Sequence, residues 1–326
     1  MSIKKDKYRV GVIGGAGYTA GELLRLLVHH PAVEIAFVHS RSQAVKPLHS
    51  IHKDLLGESA LLFSESVEAC DIWFLCMGHG QSRSWLEEHP APEGTQVIDL
   101  STDYRHKPEN GDFVYGLPEL NREAIKGAAH VANPGCFATA IQLALLPLAD
   151  AGLLKDEVHI HAITGSTGAG QSPGATTHFS WRSSNVSHYK AFEHQHLLEI
   201  GQSLEQAQGT EIPALNFVPV RGNFTRGIFA TAYTECALDE KEAQSLYHDY
   251  YADHLFTHVC EKAPALKEVV NTNKCFLSVE KHGSKLLITS VIDNLLKGAS
   301  GQAVQNMNLL LGLPEYSGLQ LKASYF

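Results

Sequence analysis

The sequence predicts an α/β protein: an N-terminal parallel sheet wound with helices, then a smaller α+β domain. Three observations carry this. An apolar run at 10–13 leads straight into a glycine cluster and a helical segment. Apolar strand-like runs then alternate with helix-length segments through the first half of the chain. Beyond about residue 150 the strand-like runs lengthen and alternate in polarity, as half-buried strands do.

In chain order, strand 10–13 is followed by Gly14-Gly15-Ala16-Gly17, a helical segment at 22–27 that stops before Pro31, and a strand at 33–38. This is one βαβ unit. Strands follow at 71–77 and 95–100, and an apolar helix at 137–146. The second domain has strands at 157–164, 216–220, 227–235 and 285–293, with helices at 190–207 and 240–252. A last helix at 298–311 is expected to pack back on the first domain. The expected domains are 1–149, with 298–326 returning to it, and 150–297.

The chain has 326 residues, 44% of them apolar and 19% charged, enough to bury a sizeable core. Its net charge of −9 gives no broad reason to bind nucleic acid or an anionic membrane. The six cysteines form no C-x-x-C pair and no dense framework, which reads as reduced thiols in a cytoplasmic protein. The basic start at 1–8 runs into a short strand, not a signal-peptide apolar region. The longest apolar stretches, 72–77 and 143–148, fall far short of the ~20 residues that span a bilayer.

The glycine cluster follows a strand and opens a helix. Gly14, Gly15, Ala16 and Gly17, with Tyr18 and Thr19 behind them, suit a tight turn that lets backbone approach a pyrophosphate at a helix N-terminus. That context marks a Rossmann-like dinucleotide site. An NAD site places an acidic residue about twenty positions on, at the ribose 2′-OH. Here the second strand ends in Ser40, Arg41 and Ser42, which suit a 2′-phosphate, so NADP(H) is the expected cofactor.

Asn133-Pro134-Gly135-Cys136 places a thiol at the start of an apolar helix, where the free N–H groups favour a thiolate. The other five cysteines lack this feature and read as inert. A thiolate beside NADP(H) implies acyl-enzyme redox chemistry, which needs an acid/base group and an anion site. Among nineteen histidines, His194 and His196 stand out. Residues two apart do not share a helix face, so only one points into a given site unless the backbone turns there. No cysteine accompanies them, and no metal is expected. Arg105, after a strand end, suits a phosphoryl group, and Arg226 a carboxylate. The glycine-rich 165–170 segment, with Ser166 and Gly168, leaves room for close ligand approach.

Together the segments at 14–23, 101–105, 115–120, 133–139, 165–170, 194–200 and 297–308 resemble the N-acetyl-γ-glutamyl-phosphate reductases of arginine biosynthesis, in order from about residue 8 to 312. The resemblance implies NADPH-dependent reduction of the acyl phosphate to the semialdehyde, with phosphate released. It makes Cys136 the nucleophile and His196 the acid/base residue, with His194 the alternative. Arg105 and Arg226 become substrate-site arginines, and Ser166, Gly168 and Gln302 fall toward the nicotinamide. It also implies a homo-oligomer, dimer or tetramer, assembled through the second domain. Val220 stands where many members carry His, and Thr225 where some carry Pro. The rival readings are a related reductase of N-acyl-aminoadipyl or aspartyl phosphate, and a non-catalytic NADP-binding regulatory module.

Overall fold

The computed structural model describes residues 7–326; most of the basic start, residues 1–6, lies outside them. The chain divides into two units. One runs to Asn133 and takes in Ala299–Gln320; the other is Pro134–Gly298 with Leu321–Phe326.

The first unit runs β1 (Tyr8–Ile13), α1 (Tyr18–Leu27), β2 (Val33–His39), β3 (Phe63–Ser64), β4 (Ile72–Leu75), α2 (Ser82–Glu88), β5 (Gln96–Asp99), β6 (Phe113–Tyr115), α3 (Pro118–Lys126) and β7 (His130–Ala132). Its seven strands lie in the order β3-β2-β1-β4-β5-β7-β6, and every pairing between them is parallel. Helices on the faces bury such strands on both sides, so β4 reads Ile-Trp-Phe-Leu with all four residues buried. The chain winds outward through β2 and β3, then crosses back to β4. The strand order therefore reverses between β1 and β4, and this switch point is where sheets of this kind bind ligands.

The second unit runs α4 (Cys136–Asp150), β8 (Val158–Thr164), α5 (Phe179–Arg182), β9 (Ser187–His188), α6 (His196–Gln208), β10 (Leu215–Arg221), β11 (Ile228–Glu235), α7 (Glu240–Tyr251), β12 (Thr257–Val259), β13 (Cys275–His282) and β14 (Lys285–Ile292). Its mixed sheet has the order β12-β13-β14-β11-β8-β10-β9. The last helix, α8 (Gly301–Leu310), belongs to the first unit and packs on α1, α3 and β5.

The observed division falls earlier than 149/150. Helix α4 is apolar on every side, with Phe137 to Ala149 all buried, and it packs on β11, β14 and α6 of the second unit. A helix without a polar face needs such all-round cover. At the other end, 321–326 goes with the second unit, where Ser324 N–H donates to the Val270 carbonyl.

Helix α4 also continues past Pro147, where a sequence reading ends it at 146. Proline has no N–H for the carbonyl four residues back. That carbonyl, on Leu143, accepts the Tyr251 hydroxyl of α7 at 2.5 Å, and Tyr247 donates to Ala144 O at 2.5 Å. Tyr251→Phe leaves the Leu143 carbonyl buried without that donor and is expected to cost about 1–3 kcal/mol, read by urea unfolding. An unchanged midpoint contradicts this role.

The helix expected at 190–207 begins only at His196. Lys190 and Phe192 hold φ of 45° and 63°, a left-handed backbone that no right-handed helix contains.

Candidate active site

At the switch point in the first unit, the glycine loop has the geometry its sequence requires. Gly14 has φ of 80°, and a Cβ there would lie 2.8 Å from the Cys76 carbonyl at the end of β4. A Cβ on Gly15 would lie 2.3 Å from Val38, so the loop packs on β2 through bare backbone. Gly15 N–H donates to His39 O, which fixes that approach. Gly17 caps α1 with no side-chain cap, and a Cβ there would meet nothing within 4 Å. The first-turn N–H groups of α1, from Tyr18 and Thr19 onward, have no intrahelical acceptor and lie at the positive end of the helix.

Two residues support this loop. His52, which the sequence reading missed, is buried, and its Nε2 lies 2.7 Å from the Gly15 carbonyl; against a carbonyl that nitrogen must donate. Ser300 Oγ donates to Thr19 O at 2.7 Å. Gln302, two residues on and the second residue of α8, is fully buried, and neither amide atom has a hydrogen-bond partner among the described residues. A buried donor and acceptor left unpaired suit a ligand that brings its own. Ser40 is buried, with its N–H on Ser64 O, while Arg41 and Ser42 are exposed at the end of β2. These residues fit a dinucleotide: bare backbone and free N–H groups for the diphosphate, a cation and hydroxyls for the ribose end, an open amide at Gln302.

Arg105 is also in the first unit, 4% exposed. Its Nε donates to Asn133 O and its Nη2 to Leu100 O, both at 2.8 Å.

The thiol site is built within the second unit. Cys136 is the first residue of α4, behind an extended Gly135, and is half-buried. Gly135 N–H donates to Glu199 Oε2 at 3.0 Å. A Cβ on Gly135 would lie 2.5 Å from His196 Nε2 and 2.6 Å from Glu199 Oε1, so both side chains rest on the peptide that precedes the thiol. His196 and Glu199 share one face of α6, three residues apart, with Nε2 and Oε1 at 3.7 Å. Glu199 is completely buried, and Gln142 of α4 donates to its main-chain carbonyl and to Ser203. On the other side, a Cβ on Gly298 would lie 2.8 Å from Cys136 Cβ.

The backbone does turn at the histidine pair. His194 precedes α6, His196 opens it, and their rings meet at 4.6 Å between centroids. Both are buried. His194 Nδ1 accepts the His196 main-chain N–H at 3.2 Å, so its ring proton sits on Nε2. Burial, reinforced by Lys190 and only partly opposed by Glu199, pushes His194 down to about 4. It is therefore neutral near pH 7. The unfolded chain binds a proton between about 4 and 6.5 that the folded chain refuses. The contribution is whole above the higher value and is lost as pH falls toward the lower one. His194→Gln should lose less stability than the parent between neutral pH and about pH 5, measured by denaturant unfolding; an equal loss contradicts the assignment.

Arg226 does not stand open to a ligand along its whole edge. Its Nε and Nη2 hold the buried Asp293 carboxylate at 3.1 and 3.2 Å, and Asp293 also accepts the N–H groups of Asn271 and Leu295. Gly298 N–H donates to Asp293 O. The pair thus organises the segment that touches Cys136. Ser166 and Gly168 form a tight turn against 224–227: Ser166 N–H donates to Phe224 O, and Thr167 Oγ1 to Thr225 O. Burial pushes the thiols of Cys70, Cys76 and Cys260 up, against nucleophilic use. No helix of the described residues is long and apolar enough to cross a membrane.

The chain matches two family models, the semialdehyde dehydrogenase NAD binding domain over residues 9–128 and the semialdehyde dehydrogenase dimerisation domain over 136–294. It is 58% identical over 317 residues to the N-acetyl-gamma-glutamyl-phosphate reductase of Christiangramia forsetii, covering 97% of this chain and 99% of that one. It is 59% identical over 320 residues to the enzyme of that name from Azobacteroides pseudotrichonymphae, covering 98% and 99%. Among solved structures it resembles aspartate semialdehyde dehydrogenase II of Vibrio cholerae, with a TM-score of 0.74 at 18% identity over 94% of this chain and 99% of that chain. It also resembles the aspartate semialdehyde dehydrogenase of Candida albicans, with a TM-score of 0.73 at 16% identity over 94% and 98%. At such identities the structural likeness speaks for the fold.

Proposed function

The chain belongs to the N-acetyl-gamma-glutamyl-phosphate reductase family, and on that premise we propose how its residues reduce N-acetyl-γ-glutamyl phosphate to the 5-semialdehyde in arginine biosynthesis. The observation that carries the reading is Cys136 at the head of α4 with His196 and Glu199 resting on Gly135. The peptide dipoles of α4 stabilise the sulfur as thiolate. His196 Nε2 takes the thiol proton, and buried Glu199 favours the imidazolium that results. The sulfur attacks the acyl carbon, the carbon–oxygen bond to phosphate breaks, and a thioester remains on Cys136. A nicotinamide cofactor, when bound, supplies the hydride that reduces this thioester. His196 gives its proton to the oxygen of the resulting thiohemiacetal and recovers it as the carbon–sulfur bond breaks and the aldehyde leaves. Neutral His194 donates through Nε2 and is a poor base at its lowered pKa, so the proton-transfer role falls to His196.

The cofactor is NADPH in this reading. Ser40, Arg41 and Ser42 hold the 2′-phosphate, the 14–19 loop the diphosphate, and Gln302 the nicotinamide end. Arg105 serves the phosphoryl group, and Arg226 acts through Asp293 and Gly298. The protein works in the cytoplasm as a homo-oligomer joined through its second unit. Arg41→Ala is expected to raise the KM for NADPH about 10-fold or more, the value of a charge-assisted contact, and to leave that for NADH within about twofold. Equal changes for both contradict the 2′-phosphate assignment. The reading as a whole is tested by phosphate-dependent NADP⁺ reduction with N-acetylglutamate 5-semialdehyde. Turnover supports it; turnover with aspartate semialdehyde alone overturns it.

A further inference from the structure

Two arginines of the second unit, one of them linked to the thiol site through Tyr189 and His194, have no carboxylate partner among the described residues. Arg182 of α5 is buried, and its five hydrogen bonds all go to neutral oxygens: Thr176 O twice, Asn185 O, Arg221 O and Ser187 Oγ. Burial lowers its pKa, and the neighbouring Arg221 cation lowers it further. Arg221 ends β10. Its Nη1 reaches Thr176 Oγ1 at 3.3 Å, and its Cζ lies 4.6 Å over the Tyr189 ring. Its Nε is buried without a hydrogen-bond partner. Neither arginine makes an ion pair among the described residues, in a chain whose net charge is −9.

This locus is continuous with the catalytic groups. Burial first, and then the nearby Cys136 thiol, push the Tyr189 phenol up to about 12, while Arg221 opposes them. The Tyr189 ring also meets His194 edge-on at 5.7 Å. Arg182 is buried with its donors held by protein oxygens, whereas Arg221 is half-buried with its Nε unpartnered, so it is Arg221 that can take up an anion brought by a ligand. Phosphate is the leaving group and is gone once the thioester forms. The group that keeps the acyl chain in register for the hydride step must be one that the substrate retains.

We propose that Arg221, braced by Tyr189 and backed by Arg182, binds the α-carboxylate of the substrate and is a specificity-determining residue of the reaction. This rests on the reading of the reaction given above. It moves the carboxylate role from Arg226, whose edge is occupied by Asp293, to a residue five positions earlier.

The test is the reverse reaction of the full-length enzyme, with N-acetylglutamate 5-semialdehyde, phosphate and NADP⁺ varied in turn. Arg221→Gln should raise the KM for the aldehyde about 10–100-fold and leave those for phosphate and NADP⁺ within about twofold. Arg221→Lys should recover part of the loss. The semialdehyde with its α-carboxylate replaced by carboxamide should cost the parent enzyme a similar factor and cost Arg221→Gln little more. A rise in the KM for phosphate instead, or an unchanged aldehyde KM, overturns the inference alone. So does an amide penalty that persists undiminished in the variant. Parent enzyme inert toward this aldehyde but active on another overturns the reading of the reaction and this inference with it.

Discussion

Cys136→Ser is expected to lower kcat by roughly 10⁴-fold or more, as loss of a covalent nucleophile does, with NADPH affinity unchanged. The serine hydroxyl fits the space but stays protonated, because the dipoles of α4 bring a thiol within reach of ionisation and leave an alcohol far above it. The cofactor loop lies in the other unit, so binding measured by fluorescence titration should not move. Residual turnover within tenfold of the parent would mean that another group attacks the acyl carbon. Four of the other five cysteines offer no ready substitute: burial raises three of them, and Cys275 is fully buried.

His196→Gln should lower kcat by about 10²–10⁴-fold, the usual worth of a positioned acid/base group. His194→Gln should cost much less, because that ring is already neutral over the working range. If the two variants lose activity equally, the proton passes elsewhere. Glutamine preserves bulk against Phe137, whose ring meets both histidines.

The parts of this account that were legible in sequence are the local ones. Gly14, Gly15 and Gly17 are read from adjacency: a strand before, a helix after, no Cβ between. Cys136 is read from Pro134-Gly135 ahead of an apolar helix. Glu199 was equally available, since His196 and Glu199 stand three apart at a helix start and must share a face. The Gly283-Ser284 step between β13 and β14 was a hairpin signal too, but the polar end of β13 hid the strand. β3, β6 and β7, of two or three residues, are too short to show any period.

What sequence could not supply depends on distant partners. His52 supports Gly15 from 37 residues away. Arg221 meets Tyr189 only because β9 pairs with the end of β10. Arg226 reads in sequence as an open substrate arginine, but Asp293, 67 residues on, holds its guanidinium. The continuation of α4 past Pro147 needed Tyr251, 108 residues from the carbonyl it satisfies.

The proposed reaction carries its acyl group on one sulfur. It is tested most directly by mixing the enzyme with N-acetyl-γ-glutamyl phosphate in the absence of nucleotide, quenching in acid, and weighing the protein and its peptides. A stoichiometric gain equal to the acyl group is expected, located on the peptide holding Cys136, labile to hydroxylamine and discharged as aldehyde when NADPH is added before the quench. Phosphate release without any adduct, or an adduct on another residue that turns over at the same rate, contradicts it.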